Sequence, residues 1–212
     1  VMINDLLTTL HKVCEAKGGI KPAFNEYHAI KALIVIKEEQ PIGRPTLSRR
    51  LKLGESSTKN LIRRLHIQGL IEVDPVAGAY LTSKGLRLAE QVKNLLRFID
   101  IDVSPLVNWS TYVSALIKGG YELVKKCGGI LWLRDVVIKN GGDACLIITV
   151  KGGKLVLPSP NEEFVIEDKL GDLITKLGLN EGDLVLVVKG KDTYTAEEAL
   201  VLSFINLLEC GG

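Results

Sequence analysis

The feature that most constrains this chain is a succession of short apolar-periodic segments between residues 26 and 97, each punctuated by glycine or proline. Apolar spacing predicts helices over 26–39, 45–52 and 55–68. Gln40-Pro41-Ile42-Gly43 breaks the first. Pro45 suits the opening turn of the second, where its missing N–H leaves no bond unmade. Leu53-Gly54 is a tight turn, and Gly69 stands where a left-handed C-cap is needed. Residues 70–73 and 79–82 then read as short strands around Asp74-Pro75-Val76-Ala77-Gly78, a turn-rich loop that makes a hairpin. A closing helix, capped by Thr82 or Ser83, runs to 97 with Leu86, Ala89, Val92 and Leu96 on one face. A further helix at 5–16 carries Leu6, Leu10 and Val13 on one stripe and ends at Gly18-Gly19.

Three helices followed by a hairpin describe a winged helix-turn-helix. That motif sets two helices at a steep angle so that the second can lie in a DNA major groove. It requires a short first helix, a small-residue turn and a second helix with an apolar inner face. Segments 45–52, 53–54 and 55–68 meet those demands, with Thr58, Leu61, Ile62 and Leu65 directed inward.

Charge agrees. Residues 1–98 hold 16 Lys and Arg against 9 Asp and Glu, a net +7, whereas residues 99–212 hold 11 against 16, a net −5. A polyanion partner therefore belongs to the front half. Between Gly43 and His66 there are seven basic residues and one acid, Glu55. On the 55–68 helix, Ser56, Lys59, Asn60 and Arg63 are expected on the side opposite Leu61, Ile62 and Leu65. Asn suits adenine and Arg suits guanine, while Ser57 is short enough for a phosphate. With Arg44, Thr46, Arg49, Arg50 and Arg64 these form the expected DNA-binding set. The 74–78 loop has no Lys or Arg, so a strong minor-groove grip by the wing is not expected. The bland alternative for each cation is a solvated helix face.

The stretch Gly43-Arg44-Pro45-Thr46-Leu47-Ser48-Arg49-Arg50-Leu51, followed by Gly54-Glu55-Ser56-Ser57-Thr58-Lys59-Asn60-Leu61-Ile62-Arg63-Arg64-Leu65, closely resembles the winged-helix transcription-factor superfamily. Gly69-Leu70-Ile71-Glu72-Val73 and Tyr80-Leu81-Thr82-Ser83-Lys84-Gly85 match what such proteins carry after the recognition helix and at the end of the wing. The resemblance covers about residues 25–97. The whole chain also looks like an archaeal group of winged-helix proteins with a C-terminal domain of unassigned role. The resemblance implies a DNA-binding transcriptional regulator that reads double-stranded DNA as a homodimer. Leu6, Leu10, Val13, Leu95, Leu96 and Ile99 are candidate dimer-interface residues, and equally candidates for core.

The expected organisation is α+β: a winged helix-turn-helix domain over 1–98, a linker at 99–105 and a small α+β domain over 106–212, read as a sensor or assembly module. In that second part, strands are expected at 107–118, 144–150, 154–157 and 184–188. Helices are expected at 121–127, 130–140, 167–177 and 195–208. Trp109, Tyr112, Tyr121 and Trp132 cluster after the linker as core or as pocket lining for an unidentified small-molecule effector.

No histidine follows residue 66, and no phosphate-loop or dinucleotide fingerprint is present, so an enzyme is the least expected class. A protein-interaction module that never touches DNA is the nearer alternative. Cys14, Cys127, Cys145 and Cys210 lack the spacing of a metal knuckle or redox dithiol and read as buried or incidental thiols. No metal and no cofactor are expected. The absence of a long apolar run or a signal-like start leads to an expectation of no membrane contact and a cytoplasmic location.

Overall fold

The apolar stripes anticipated from the sequence close on one another in the computed structural model, which describes residues 2–212. Two units result, divided between Lys93 and Asn94. The first holds α1 (Met2–Cys14), α2 (Glu26–Glu39), α3 (Arg44–Leu51), α4 (Glu55–Ile67), β1 (Ile71–Asp74), β2 (Gly78–Leu81) and most of α5 (Ser83–Leu95). Its centre is Leu6, Leu10, Tyr27, Ile30, Leu33, Ile36, Leu47, Leu51, Leu61, Leu65 and Leu70, all fully buried. At ~1.5–3 kcal/mol for each large apolar side chain removed from water, this cluster supplies the main drive for the unit. Leu6, Leu10, Val13 and Leu96 are therefore core residues and not an interface, because their own chain covers them.

Local chemistry sets the helix ends. Asn25 and His28 form a reciprocal cap: Asn25 Oδ1 accepts the Tyr27 N–H at 3.0 Å, and His28 Nδ1 accepts the Asn25 N–H at 3.1 Å. Thr82 caps α5, accepting the Gly85 N–H at 3.1 Å while its own hydroxyl donates to the Gly69 carbonyl at 2.6 Å. A Cβ on Gly85 would fall 2.0 Å from the Leu70 carbonyl oxygen, so only glycine lets α5 start this close to the wing. Gly78 is similarly bound: its φ is +108°, and a Cβ would meet the Ile42 carbonyl at 2.3 Å. That approach permits a paired bridge between Ile42 and Ala79, which adds a third backbone to the β1–β2 hairpin.

The second unit is a six-stranded antiparallel sheet of order β3-β4-β8-β5-β6-β7, with β3 (Leu96–Ile99), β4 (Tyr112–Ile117), β5 (Ala144–Lys151), β6 (Lys154–Pro158), β7 (Glu163–Val165) and β8 (Leu184–Lys189). Helices α6 (Gly120–Lys126), α7 (Gly129–Lys139) and α10 (Thr193–Gly211) pack with β4, β5 and β8. Short helices α8 (Glu167–Leu170) and α9 (Leu173–Leu177) belong to the opposite side. There Ile101, Val103, Leu116, Ile148, Val150, Leu155, Ile166, Leu173, Val185 and Val187 make one cluster. Both faces of β8 are thus covered, which is why it reads as an unbroken apolar run instead of an alternation.

Several sequence expectations need correction. The closing helix stops at Leu95, and Leu96-Arg97-Phe98-Ile99 becomes an edge strand against β4, with Leu96 opposite Ile117. The expected linker at 99–105 is part of the second unit, because Ile101 and Val103 are buried in its core. The expected 167–177 helix is split at Gly171, whose φ of +68° and ψ of −164° no helix accommodates. Cys127 and Cys210 are not incidental: they form a disulfide across a sequence separation of 83, with Cα atoms 5.7 Å apart. Asp192, and not Thr195, caps the last helix by accepting the Thr195 N–H.

Burial, with Lys31 nearby, pushes the His28 imidazole from 6.5 down to about 4. The folded state therefore keeps His28 neutral while the unfolded chain takes up a proton below 6.5. Stability is complete above pH 6.5 and falls as pH drops toward 4, by on the order of 2–3 kcal/mol in all. Urea denaturation at pH 7, 5.5 and 4 measures this. Exchanging His28 for glutamine keeps a side chain able to complete the cap and flattens that slope; an equal slope in H28Q would assign the loss to other groups.

Candidate nucleic-acid interface

The helix-turn-helix corner is built from backbone bonds closed by small polar side chains. Lys52 ends α3 in the left-handed region at φ +50°, and the Leu53 N–H returns to the Ser48 carbonyl at 3.1 Å. The buried Ser48 hydroxyl donates to the Leu53 carbonyl, and Thr58 Oγ1 donates to the Gly54 carbonyl at 3.0 Å. Leu47, Leu51, Leu61 and Leu65 anchor both helices from beneath. The outward face of α4 is fixed as a consequence.

That face carries Ser56, Lys59 and Arg63 exposed and Asn60 half-buried. Arg63 Nη2 donates to Asn60 Oδ1 at 2.8 Å, so two of the expected base-reading groups form a preset pair. Together with Ile62, His66 and Val73 these residues line a groove of about 460 Å³ between α4 and the first wing strand. On α3, Arg44, Arg49 and Arg50 are exposed and Thr46 is half-buried. Arg49 Nη2 donates to Thr46 Oγ1 at 3.2 Å. Arg50 pairs with Glu39 at 2.8 Å, and Arg44 lies 3.9 Å from Glu55. Ser57 is half-buried beside them. Nine of the ten expected residues therefore reach the surface of one helix-turn-helix.

Arg64 is the exception. It is 5% exposed and points inward, where Nη1 donates to the carbonyls of Val13 at 3.0 Å and Glu15 at 2.6 Å. Its guanidinium carbon lies 5.6 Å from the centre of the Phe24 ring. A charge at this depth is tolerated because the end of α1 offers it unpaired carbonyls and an aromatic face. Arg64 holds α4 to α1 and is not available to DNA.

Ile62, His66 and Val73 are the groove residues that sequence reasoning missed. Ile62 was expected inward, yet it forms a wall and is only half-buried. Val73 shares strand parity with buried Ile71 but extends past the body of the unit, at 46% exposure. The His66 ring nitrogen Nδ1 lies 3.0 Å from the Ile71 carbonyl and 3.6 Å from Glu72. The i, i+4 spacing of Ile62 and His66 is the one signal that placed them together.

The wing tip is closed by an acid. Asp74 Oδ1 accepts the N–H groups of Val76 at 2.8 Å and Ala77 at 2.7 Å. Those bonds, that to Ala77 foremost, hold its carboxyl below the usual range and so keep it charged. Val76 stands beyond it at 97% exposure.

Comparison with known proteins agrees with this geometry. Residues 27–96 match the family model of the CggR N-terminal DNA binding domain. Residues 107–207 match a domain of unknown function, DUF4443. Among solved structures, a hypothetical protein from Pyrococcus horikoshii OT3 is similar at a TM-score of 0.59 and 22% identity, over 86% of this chain and 92% of that one. At that identity the likeness shows the fold alone. No curated protein matches the chain. The chain thus joins a winged helix-turn-helix similar to a DNA-binding-domain model to an α+β domain similar to one without an assigned role.

Arg64 and Arg63 make a controlled pair. Arg64→Leu strands two carbonyls and is expected to cost about 2–4 kcal/mol of stability, whereas Arg63→Leu should change it by less than about 0.5 kcal/mol. Thermal and urea melts of both variants check this; equal losses would refute the inward role of Arg64.

Proposed function

We propose that this winged helix-turn-helix protein is a sequence-specific transcriptional regulator whose α4 enters the major groove of double-stranded DNA. The observation carrying this reading is the outward stripe of Ser56, Lys59, Asn60 and Arg63 beside the α3 cations, on a corner anchored from within by Leu47, Leu51, Leu61 and Leu65. Lys59, Asn60 and Arg63 supply donors for base edges, while Arg44, Thr46, Arg49 and Ser57 are placed for phosphates. Arg50 would have to exchange Glu39 for a phosphate. The wing contributes little, because its tip presents Asp74 and apolar Val76 to the same polyanion.

Two copies bind paired half-sites, as is general for helix-turn-helix regulators. The second unit acts as the assembly or effector-sensing part and is not an enzyme. An interaction module without DNA contact is the competing reading, favoured by the apolar walls Ile62 and Val73 of the α4 groove.

Selection of bound genomic fragments followed by fluorescence anisotropy tests the proposal. Lys59→Ala and Arg63→Ala should each weaken the selected site by roughly tenfold or more and relax base preference. Arg49→Ala should weaken all sequences alike and reduce the salt slope by about 1. Val76→Ser should change affinity less than about twofold. No fragment outcompeting random DNA at low salt would end the DNA reading, and a stoichiometric protein partner on the α4 face would replace it.

A further inference from the structure

The bond between Arg63 and Asn60 sets what the centre of the α4 face can offer to a base. Arg63 Nη2 donates to Asn60 Oδ1 at 2.8 Å. A guanidinium carries N–H groups and no acceptor, so the Asn60 atom that meets it is the carbonyl oxygen. A carboxamide ordinarily presents an acceptor and a donor side by side; here the acceptor is taken up inside the protein. The Asn60 amide NH2 is left over, and among the described residues no bond within the chain uses it. Beside it stand the other Arg63 N–H groups and the exposed Lys59 ammonium. The centre of the face is therefore made of donors. Acceptors lie only toward its two ends. Ser56 has its hydroxyl one turn earlier. One turn later, His66 Nδ1 lies 3.0 Å from the Ile71 carbonyl, which places the proton on Nδ1 and the lone pair on Nε2. The nearby acids are turned to other cationic or ring groups: Glu55 lies 3.9 Å from Arg44, and Glu72 3.6 Å from His66.

In the major groove guanine shows two acceptors, N7 and O6, whereas adenine shows the N7 acceptor beside the N6 amine donor, and cytosine an amine alone. Asparagine by itself suits adenine, because Oδ1 takes the N6 amine while Nδ2 gives to N7. With Oδ1 already bonded to a cation, an incoming N6 amine would face guanidinium N–H groups, donor against donor, and a desolvated donor left without an acceptor is costly. Guanine has the matching pattern: N7 and O6 can accept from Asn60 Nδ2 and from Arg63. We infer that Asn60 and Arg63 act as a single reader of guanine, in which Arg63 occupies the acceptor of Asn60 and thereby excludes adenine from the centre of the α4 face. The inference rests on the DNA reading above and names the base at its centre.

The pair has an asymmetry that an independent action of the two residues would lack. Removing Arg63 returns Oδ1 to Asn60 and with it the donor–acceptor set that adenine requires, so the preferred base changes identity. Removing Asn60 leaves a guanidinium that can still meet N7 and O6 with its own fork, but without the carbonyl that positions it. Guanine then stays preferred by a smaller margin. Arg63 is thus the residue that chooses between the two purines, and Asn60 both a reader and the support of Arg63.

Selection from a randomised duplex pool, run in parallel with the full chain, Arg63→Ala, Asn60→Ala and the double variant, gives a base-preference profile for each. One position should read guanine for the wild-type chain and adenine for Arg63→Ala. Anisotropy on duplexes differing at that base should show wild type favouring guanine by roughly tenfold or more, and Arg63→Ala favouring adenine by about fivefold. Asn60→Ala should keep guanine with its margin cut to about threefold, and the double variant should hold the purines within about twofold of each other. Base analogues at the same position give a readout that needs no variant. Hypoxanthine keeps N7 and O6 and should bind the wild-type chain within about twofold of guanine, whereas 2,6-diaminopurine, with an amine at position 6, should be rejected as adenine is. Arg63 is exposed and Asn60 half-buried, so circular-dichroism melts of the variants should match wild type; if Asn60→Ala fails to fold, Arg63→Ala and the analogues decide. Diaminopurine bound as well as guanine overturns the inference, and so does an Arg63→Ala profile with no gain of adenine. Either result alongside an enriched wild-type pool leaves the DNA assignment standing. A wild-type pool no better than random DNA at low salt instead ends the DNA assignment, and this inference with it.

Discussion

A buried cation governs what the surface of the first unit can do. Arg64 spends its charge on the carbonyls that end α1, and in doing so fixes the rotation of α4 about its own axis. One residue earlier, Arg63 must then face out, with Asn60 and Lys59 beside it. Were α4 turned by a single residue, the apolar row Leu61–Leu65 would meet water and the donors would enter the core. The leucine packing and the guanidinium bonds specify the same rotation, and agreement between levels of this kind is what makes a fold unique.

The corner is otherwise held by contacts that leave little freedom. Thr82 ties the C-terminal side of α4 to the start of α5, and Gly78 and Gly85 allow backbones to approach where a Cβ has no room. The hairpin is thereby fastened at its base while its tip stays free of cations. The exposed cations and amides of the corner are concentrated on two helices, and the wing walls one side of the groove through Val73. The second unit follows a different plan, a sheet covered on both faces, with a disulfide joining the end of α6 to the end of α10.

Much of this was readable in the residues. Apolar patterning located α2, α3, α4 and the hairpin to within a residue or two, because each is bounded by proline, glycine or a capping side chain, and α3 and α4 are amphipathic besides. The donor stripe on α4 was readable for the same reason. Arg64 was not, since a guanidinium in a basic run looks alike whether solvated or buried; only the open carbonyls at the end of α1 distinguish it. The α5–β3 boundary was hidden because Leu96 satisfies both the helical face and the strand alternation, and the long-range pairing with β4 decides between them. The Cys127–Cys210 pairing was equally hidden, as spacing along a chain says nothing about proximity in a fold. Strand β7, three residues long and exposed, had no pattern to find.

The central position of β8 has a consequence for the order in which the second unit can form. β4 and β5 do not touch as neighbours; each pairs with β8 over six residues, and β8 is the last strand in the chain. During synthesis, the β3–β4 pair and the β5–β6–β7 meander can each close locally, but every join between them waits until residues 184–189 have emerged. Until then two sheet edges rich in Val, Ile and Leu stand open, the state in which nascent chains most readily pair with the wrong partner. A cell producing this protein would have reason to shield it late in translation rather than early.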